Sequence, residues 1–182
     1  MTSRILGLPD PRTTGSGNPG ATNVLRIGGK KAAIITLIGD VLKGSLPVMV
    51  AESLKVAPGI VALVAFAALL GHVYPVFFRF RGGKGVATAF GALTAISPVA
   101  GAGLLGTWLF VAVLFRYSSL AALTAAVAAP FLIAVSVPTN TGLFFLSTCA
   151  MSLLLLWRHR GNIQNLFAGK ETKIGAKADA TR

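Results

Sequence analysis

Acidic side chains are scarce in this sequence: 182 residues hold 5 Asp and Glu against 17 Lys and Arg. The five are Asp10, Asp40, Glu52, Glu171 and Asp179, and only two histidines, His72 and His159, stand beside them. No His/Asp/Glu group has the spacing of a zinc or two-metal site, so no metal is expected. A nucleophile-elbow motif is also missing. The single cysteine, Cys149, lies in an apolar run, excludes an internal disulfide, and reads as a small core residue. Residues 1–11 lack the apolar segment of a secretory signal peptide, and no repeat relates the two halves of the chain. An enzyme with so few titrating groups has to work by positioning and charge stabilisation.

Charge of either sign is sparse as well. Charged residues make up 12% and hydrophobic residues 54%, which leaves too little polar surface for a soluble domain. The net charge of +12 comes without aromatic–basic interleaving or a nucleic-acid module, so nucleic acid is not an expected partner. In a membrane protein the same excess reports topology, because Lys and Arg collect in cytoplasmic loops.

What the chain does contain is long apolar runs. About 20 apolar residues cross the roughly 30 Å hydrocarbon core of a bilayer. Residues 32–54, 59–78, 119–136 and 142–157 each read as a membrane helix. Residues 86–115 would form a helix of about 45 Å at 1.5 Å per residue, too long for one crossing. The Ser97-Pro98 pair divides them into a short helix, 86–96, and a longer one, 98–115. The short one is expected to be shielded by protein or to lie near the interface. With six crossings, every Lys and Arg except Lys43, inside a span, and Lys55 falls on one face. The expectation is therefore an all-α polytopic bundle with six membrane helices, one of them short. It forms a single domain over residues 1–182, with a cytoplasmic motif loop at 1–31 and a loose cytoplasmic tail at 168–182.

Four polar clusters share the basic face. In "GSGNPGATNVLR", residues 15–26, glycines allow backbone N–H groups to converge on an anion, while Ser16, Asn18, Thr22 and Asn23 add polar groups and Arg26 a phosphate fork. An ordinary Gly/Asn loop carrying a topological arginine explains the same spacing equally well. In "FRGGKGVAT", residues 80–88, a glycine turn bearing Lys84 feeds a helix N-terminus, a phosphate-site pattern without the spacing of a Walker A loop. "RHRGN", residues 158–162, puts His159 and Asn162 on one face if the helix continues through Gly161. "RYSSL" opens a helix with Ser118 and Ser119, where capping is the ordinary role of Ser118. Asp40 and Lys43, charged within a span at i, i+3, are expected to pair as a structural ion pair beside the site.

In order and spacing these four motifs resemble those of the bacterial acyl-phosphate:glycerol-3-phosphate acyltransferases, from about Leu8 to Glu171. The resemblance implies an integral inner-membrane enzyme with its active site facing the cytoplasm. It would move a fatty acyl group from acyl phosphate to the 1-hydroxyl of glycerol 3-phosphate, yielding lysophosphatidate and phosphate in phospholipid synthesis. It implies no cofactor, and as partners the two substrates, membrane lipid and the enzyme that supplies acyl phosphate. By motif match Ser16, Arg26, Lys84, His159 and Asn162 would hold glycerol 3-phosphate and its neighbouring phosphate. Thr22 and Ser119 would bind the acyl phosphate, with Gly17, Asn18, Asn23, Gly82 and Gly83 lining the substrate. For His159, general base and phosphate hydrogen-bond donor are both open, and the lack of a carboxylate partner favours the donor. The family pattern has a further helix before the first motif, seven in all, whereas Met1 here falls just after its expected end. Asn165 stands where the family commonly has a basic residue. A small anion transporter or channel is the alternative reading; it calls for polar groups near the midplane rather than at one face.

Overall fold

A computed structural model describes residues 2–139 and 141–176; Lys177, Asp179 and Arg182, in the stretch expected to be a tail, lie outside them. All regular structure in the described residues is helical. A single turn, α1 (Thr2–Ile5), precedes α2 (Ala21–Ser53) and α3 (Pro58–Val73). A 3-10 turn (Val76–Phe78) leads to the short α4 (Val86–Ile96), followed by α5 (Pro98–Phe115), α6 (Ser118–Ser136), α7 (Thr141–Arg158) and α8 (Arg160–Phe167). Five helical segments among the described residues are long and apolar enough to cross a membrane, and α4 is the shorter apolar sixth. Ser97 caps α5 by accepting from the Ala100 amide at 3.2 Å, so the Ser-Pro pair ends one helix and starts the next.

The long helices close into a ring: α2 packs on α3, α3 on α7, α7 on α6, α6 on α5, α5 on α4, and α4 back on α2. The interior is lined with small side chains, including Ala62, Ala65, Ala89, Ala92, Ala121 and Ala126, while Ile34, Leu63, Phe110, Phe131 and Leu153 point outward. That inverted pattern belongs to a bundle surrounded by lipid, where helices associate through close packing of small residues. Helices α2 and α4 come close enough for main chain to meet main chain. A Cβ on Gly44 would strike the Thr88 carbonyl and the Ala92 amide, and one on Gly91 would strike the Val41 carbonyl. Thr88 Oγ1 also donates to the Asp40 carbonyl at 2.9 Å. Packed against α2, α3 and α5, α4 has protein around it and has no need of full spanning length.

Two expectations are corrected. Residues 1–31 are not one loop, because α2 begins at Ala21 and carries Thr22, Asn23 and Arg26 on its first turns. The helix is broken at Gly29, where φ is +75°, a conformation natural to glycine. The stretch read as a loop because its polar content is high, but those polar groups face the site and one another. The described part of the tail is not loose either. The Ile174 amide donates to the Arg116 carbonyl at 2.7 Å, and the Ile174 side chain packs on the cluster of Val111, Ala112 and Ala121.

Candidate active site

Because the helices alternate in direction, the N-termini of α2, α4 and α6 and the C-terminus of α7 meet at one end of the ring. Below them opens a cavity of about 340 Å³. Its upper wall is polar: Ser16, Asn18, Thr22, Arg26, Lys84, Ser118, Ser119, His159 and Asn162. Its lower wall is apolar, with Phe90, Leu93, Leu104 and Trp108 facing Ala122, Ala125, Ala126 and Ala129 on α6. Residues 118–129 rise roughly 16 Å along that helix at 1.5 Å per residue, about half of a hydrocarbon core. Unpaired N–H groups and the positive dipole ends of three helices add to the charges of Arg26 and Lys84, so the upper end is built to attract anions.

The first motif is held together by Asn23. Its buried side chain donates from Nδ2 to the carbonyls of Pro11 and Thr14, both at 2.9 Å, and accepts from the Ser16 amide at 2.9 Å. Asn23 therefore organises the loop, and it also lines the cavity where the sequence placed it. Gly15, with φ +64°, lies so close that a Cβ would meet Asn23 Oδ1. Gly17, also at positive φ, shapes the turn without lining the cavity. Ser16 and Asn18 do line it.

Gly82 and Gly83 likewise shape the second motif rather than line the cavity. A Cβ on Gly82 would strike the carbonyls of His72 and Val73, and one on Gly83 the His72 ring. Lys84, next in the chain, reaches the cavity and donates to Asn162 Oδ1. Burial holds the Lys84 ammonium below its ordinary 10.5; Glu171 pulls it up, and Arg158 and Arg26 push it down.

His159 lies in the break between α7 and α8, so the chain interrupts at His159 and is helical again through Gly161. Both His159 and Asn162 face the cavity all the same. His159 is 3% exposed, and burial pushes it down to about 4 from 6.5, with the Leu155 carbonyl bond and Glu171 opposing and Lys84 and Arg158 adding to the fall. Nδ1 lies 2.8 Å from the Leu155 carbonyl, which can only accept, so Nδ1 carries the proton and donates. Nε2 of the neutral ring is then an acceptor. The donor role favoured from the sequence belongs to the imidazolium form, in which Nε2 also carries a proton.

Ser118 does not cap α6, whose N-cap is Tyr117 without a side-chain bond. Its hydroxyl pairs with Thr22 Oγ1 at 3.2 Å, tying the starts of α2 and α6 together. Ser119 donates to Glu171 Oε1 at 2.6 Å, and Asn162 Nδ2 donates to the same oxygen at 2.7 Å. Glu171, which also lines the cavity, was missed from sequence because it sits between lysines in a polar tail. Its signal was its rarity, one of 5 carboxylates, lying just past the last motif. The expected ion pair forms, with Lys43 Nζ 2.9 Å from Asp40 Oδ1; His72 Nδ1 joins it at 3.6 Å, and both Asp40 and His72 line the cavity.

Comparisons with known proteins agree with this architecture. The sequence model of the glycerol-3-phosphate acyltransferase family matches residues 1–169. The chain is 54% identical to the glycerol-3-phosphate acyltransferase of Methylococcus capsulatus, over 97% of this chain and 88% of that one. It is 56% identical to that of Burkholderia ambifaria, over 99% and 85%. The crystal structure of PlsY, an integral membrane glycerol 3-phosphate acyltransferase, superimposes in its glycerol 3-phosphate form with a TM-score of 0.88 and 39% identity, covering 96% of this chain and 88% of that one. The lysophosphatidic acid form gives 0.81 and 40%, covering 88% and 81%. With the family match running from the first motif through the last and the helical ring shared with a solved member, the chain belongs to the glycerol-3-phosphate acyltransferase family.

Proposed function

We propose that this glycerol-3-phosphate acyltransferase takes its acyl group from acyl phosphate and delivers it to the 1-hydroxyl of glycerol 3-phosphate, at the cytoplasmic face of a bacterial inner membrane. The observation that carries the reading is one cavity with two characters. Arg26, Lys84 and three helix N-termini crowd its polar end, and an alanine-floored apolar wall continues below. A fatty acyl group joined to phosphate has the same two halves. A polar end with two cations also suits two phosphates side by side, one from each substrate. The glycerol 3-phosphate and lysophosphatidic acid forms of PlsY support the acceptor and the product.

In the reaction the glycerol 1-hydroxyl oxygen attacks the acyl carbonyl carbon. The bond between that carbon and the phosphate oxygen then breaks, and phosphate leaves. Arg26 and Lys84 neutralise charge on the phosphates, while Ser16 and Asn162 add hydrogen bonds. Thr22 and Ser119, on the first turns of α2 and α6, supply hydroxyls toward the acyl phosphate carbonyl, Ser119 exchanging its bond to Glu171 for one to the substrate. His159 Nε2 accepts a hydrogen bond from the attacking hydroxyl and aims it. Its low basicity makes a departing phosphate oxygen the better final home for the proton.

Purified protein would be given labelled glycerol 3-phosphate with acyl phosphate, acyl-CoA or acyl carrier protein. Lysophosphatidate from acyl phosphate alone is the expected result, and product only from a thioester donor sinks the donor assignment. The cytoplasmic placement rests on the basic residues gathered at the site end, including Arg79, Arg81, Arg116 and Arg160. Cysteine labelling from one side of sealed vesicles, at a position such as Arg160→Cys, tests it.

A further inference from the structure

The turn that presents Lys84 has no regular structure from Arg81 to Gly85. Among the described residues, no main-chain group bonds Gly82 or Gly83 outside the helices. The turn is held instead by arginine side chains. Arg12 Nε donates to the Arg81 carbonyl at 3.1 Å. Arg158 Nη2 bridges the carbonyls of Gly82 and Gly83, at 3.2 Å each. On the opposite side the two glycines press on His72 and Val73, so the turn is clamped between the ends of α3 and α7.

Arg158 ends α7 and is half-buried. An arginine at a membrane edge ordinarily extends to water. Here the guanidinium turns inward beside Tyr74 and Trp157, 6.0 and 5.9 Å from their ring centroids. Its Nε is buried without a partner, an unfavourable arrangement that the two carbonyl bonds offset. The next residue in the chain is His159. Arg158 thus links the Lys84 turn to the His159 wall through one peptide bond.

We propose that Arg158 is a positioning residue for the acyl transfer: by bridging Gly82 and Gly83 it fixes Lys84 at a set distance from His159 across the polar end of the cavity. The proposal rests on the reading that Lys84 holds a substrate phosphate. Arg158 does not line the cavity and acts through the turn.

A double-mutant cycle on kcat/KM for glycerol 3-phosphate tests this, using the wild type, Lys84→Ala, Arg158→Ala and the double variant in detergent, with acyl phosphate as donor. Arg158→Ala alone is expected to lose roughly 10-fold or more, mainly through KM. In the Lys84→Ala background the same change costs less than about threefold, because residues acting through one contact are not additive. Equal fold-losses in both backgrounds overturn the positioning role. Full activity of Lys84→Ala overturns the phosphate role of Lys84 itself, which separates the two failures. If thermal unfolding shows that Arg158→Ala does not fold, the cycle is run with Arg158→Met, which keeps the apolar stem but loses the donor to Gly82 and Gly83. The same coupling is then expected and the same additivity overturns the proposal.

Discussion

The Ser119 hydroxyl and the Glu171 carboxylate meet at 2.6 Å across 52 positions of sequence. The bond carries the tail back over the mouth of the cavity, where Asn162 shares the same carboxylate oxygen and reaches Lys84 with its own carbonyl. Ser119, Glu171, Asn162 and Lys84 therefore form one chain of hydrogen bonds along the polar end. Glu171 is its charged member opposite Lys84, and the sign of its influence on Lys84 is fixed by that placement.

Glu171→Gln keeps an acceptor for Ser119 but removes the negative charge that raises the Lys84 pKa. The Lys84 ammonium then loses its proton at lower pH, and phosphate binding goes with it. The alkaline limb of kcat/KM for glycerol 3-phosphate is expected to move to lower pH than in the wild type. A pH–rate profile of the two proteins checks this, and an unchanged or higher alkaline limb contradicts it.

Lys84→Ala and Arg26→Ala each remove a charged partner that the proposed function assigns to phosphate. Charge-assisted hydrogen bonds contribute about 1.5–3 kcal/mol, so each change is expected to lower kcat/KM by roughly 10- to 150-fold. Both proteins should still insert in the membrane, since neither side chain packs in the helical ring. Initial rates at matched amounts of inserted protein measure the effect.

His159 titrates at about 4 in the folded chain and near 6.5 when unfolded. The unfolded state binds its proton first as pH falls, so His159 stabilises the fold fully above about 6.5. That contribution is lost progressively between about 6.5 and about 4, and at most about 3 kcal/mol is involved. Thermal unfolding in detergent from neutral to acidic pH should show a shallower decline for His159→Gln than for the wild type.

Gly83→Ala places a methyl group against the His72 ring. The ring is held by Asp40 and cannot retreat freely, so the Lys84 turn shifts instead. A rise in KM for glycerol 3-phosphate is expected while the thermal midpoint changes little. Gly44→Leu makes the contrast, because its clash is with the α4 main chain; it should lower stability and inserted yield.

The bundle was legible in the sequence because each crossing is written as an apolar run. The Ser97-Pro98 pair marks a break that a hydropathy average hides. Arg26 and Lys84, assigned to phosphate in the proposed function, were legible through the glycine-containing motifs that carry them. The hold of Asn23 on Pro11, Thr14 and Ser16 was not legible, because an amide suited to bind substrate is equally suited to bind main chain and composition does not separate the two. The His159 proton placement depends on the Leu155 carbonyl, a relation set by where α7 ends. Glu171 and Arg158 escaped for a related reason. Their partners lie 52 and about 75 residues away along the chain, and no periodicity reports contacts of that range.

The meeting of three helix N-termini at the polar end has a consequence for evolution and for engineering. Their share of the attraction for phosphate belongs to peptide groups, which no side-chain substitution deletes and no change of pH within the working range discharges. A variant stripped of both Arg26 and Lys84 should therefore keep a remnant of anion affinity. A lineage altering its side chains at this mouth starts from a backbone that already favours phosphate.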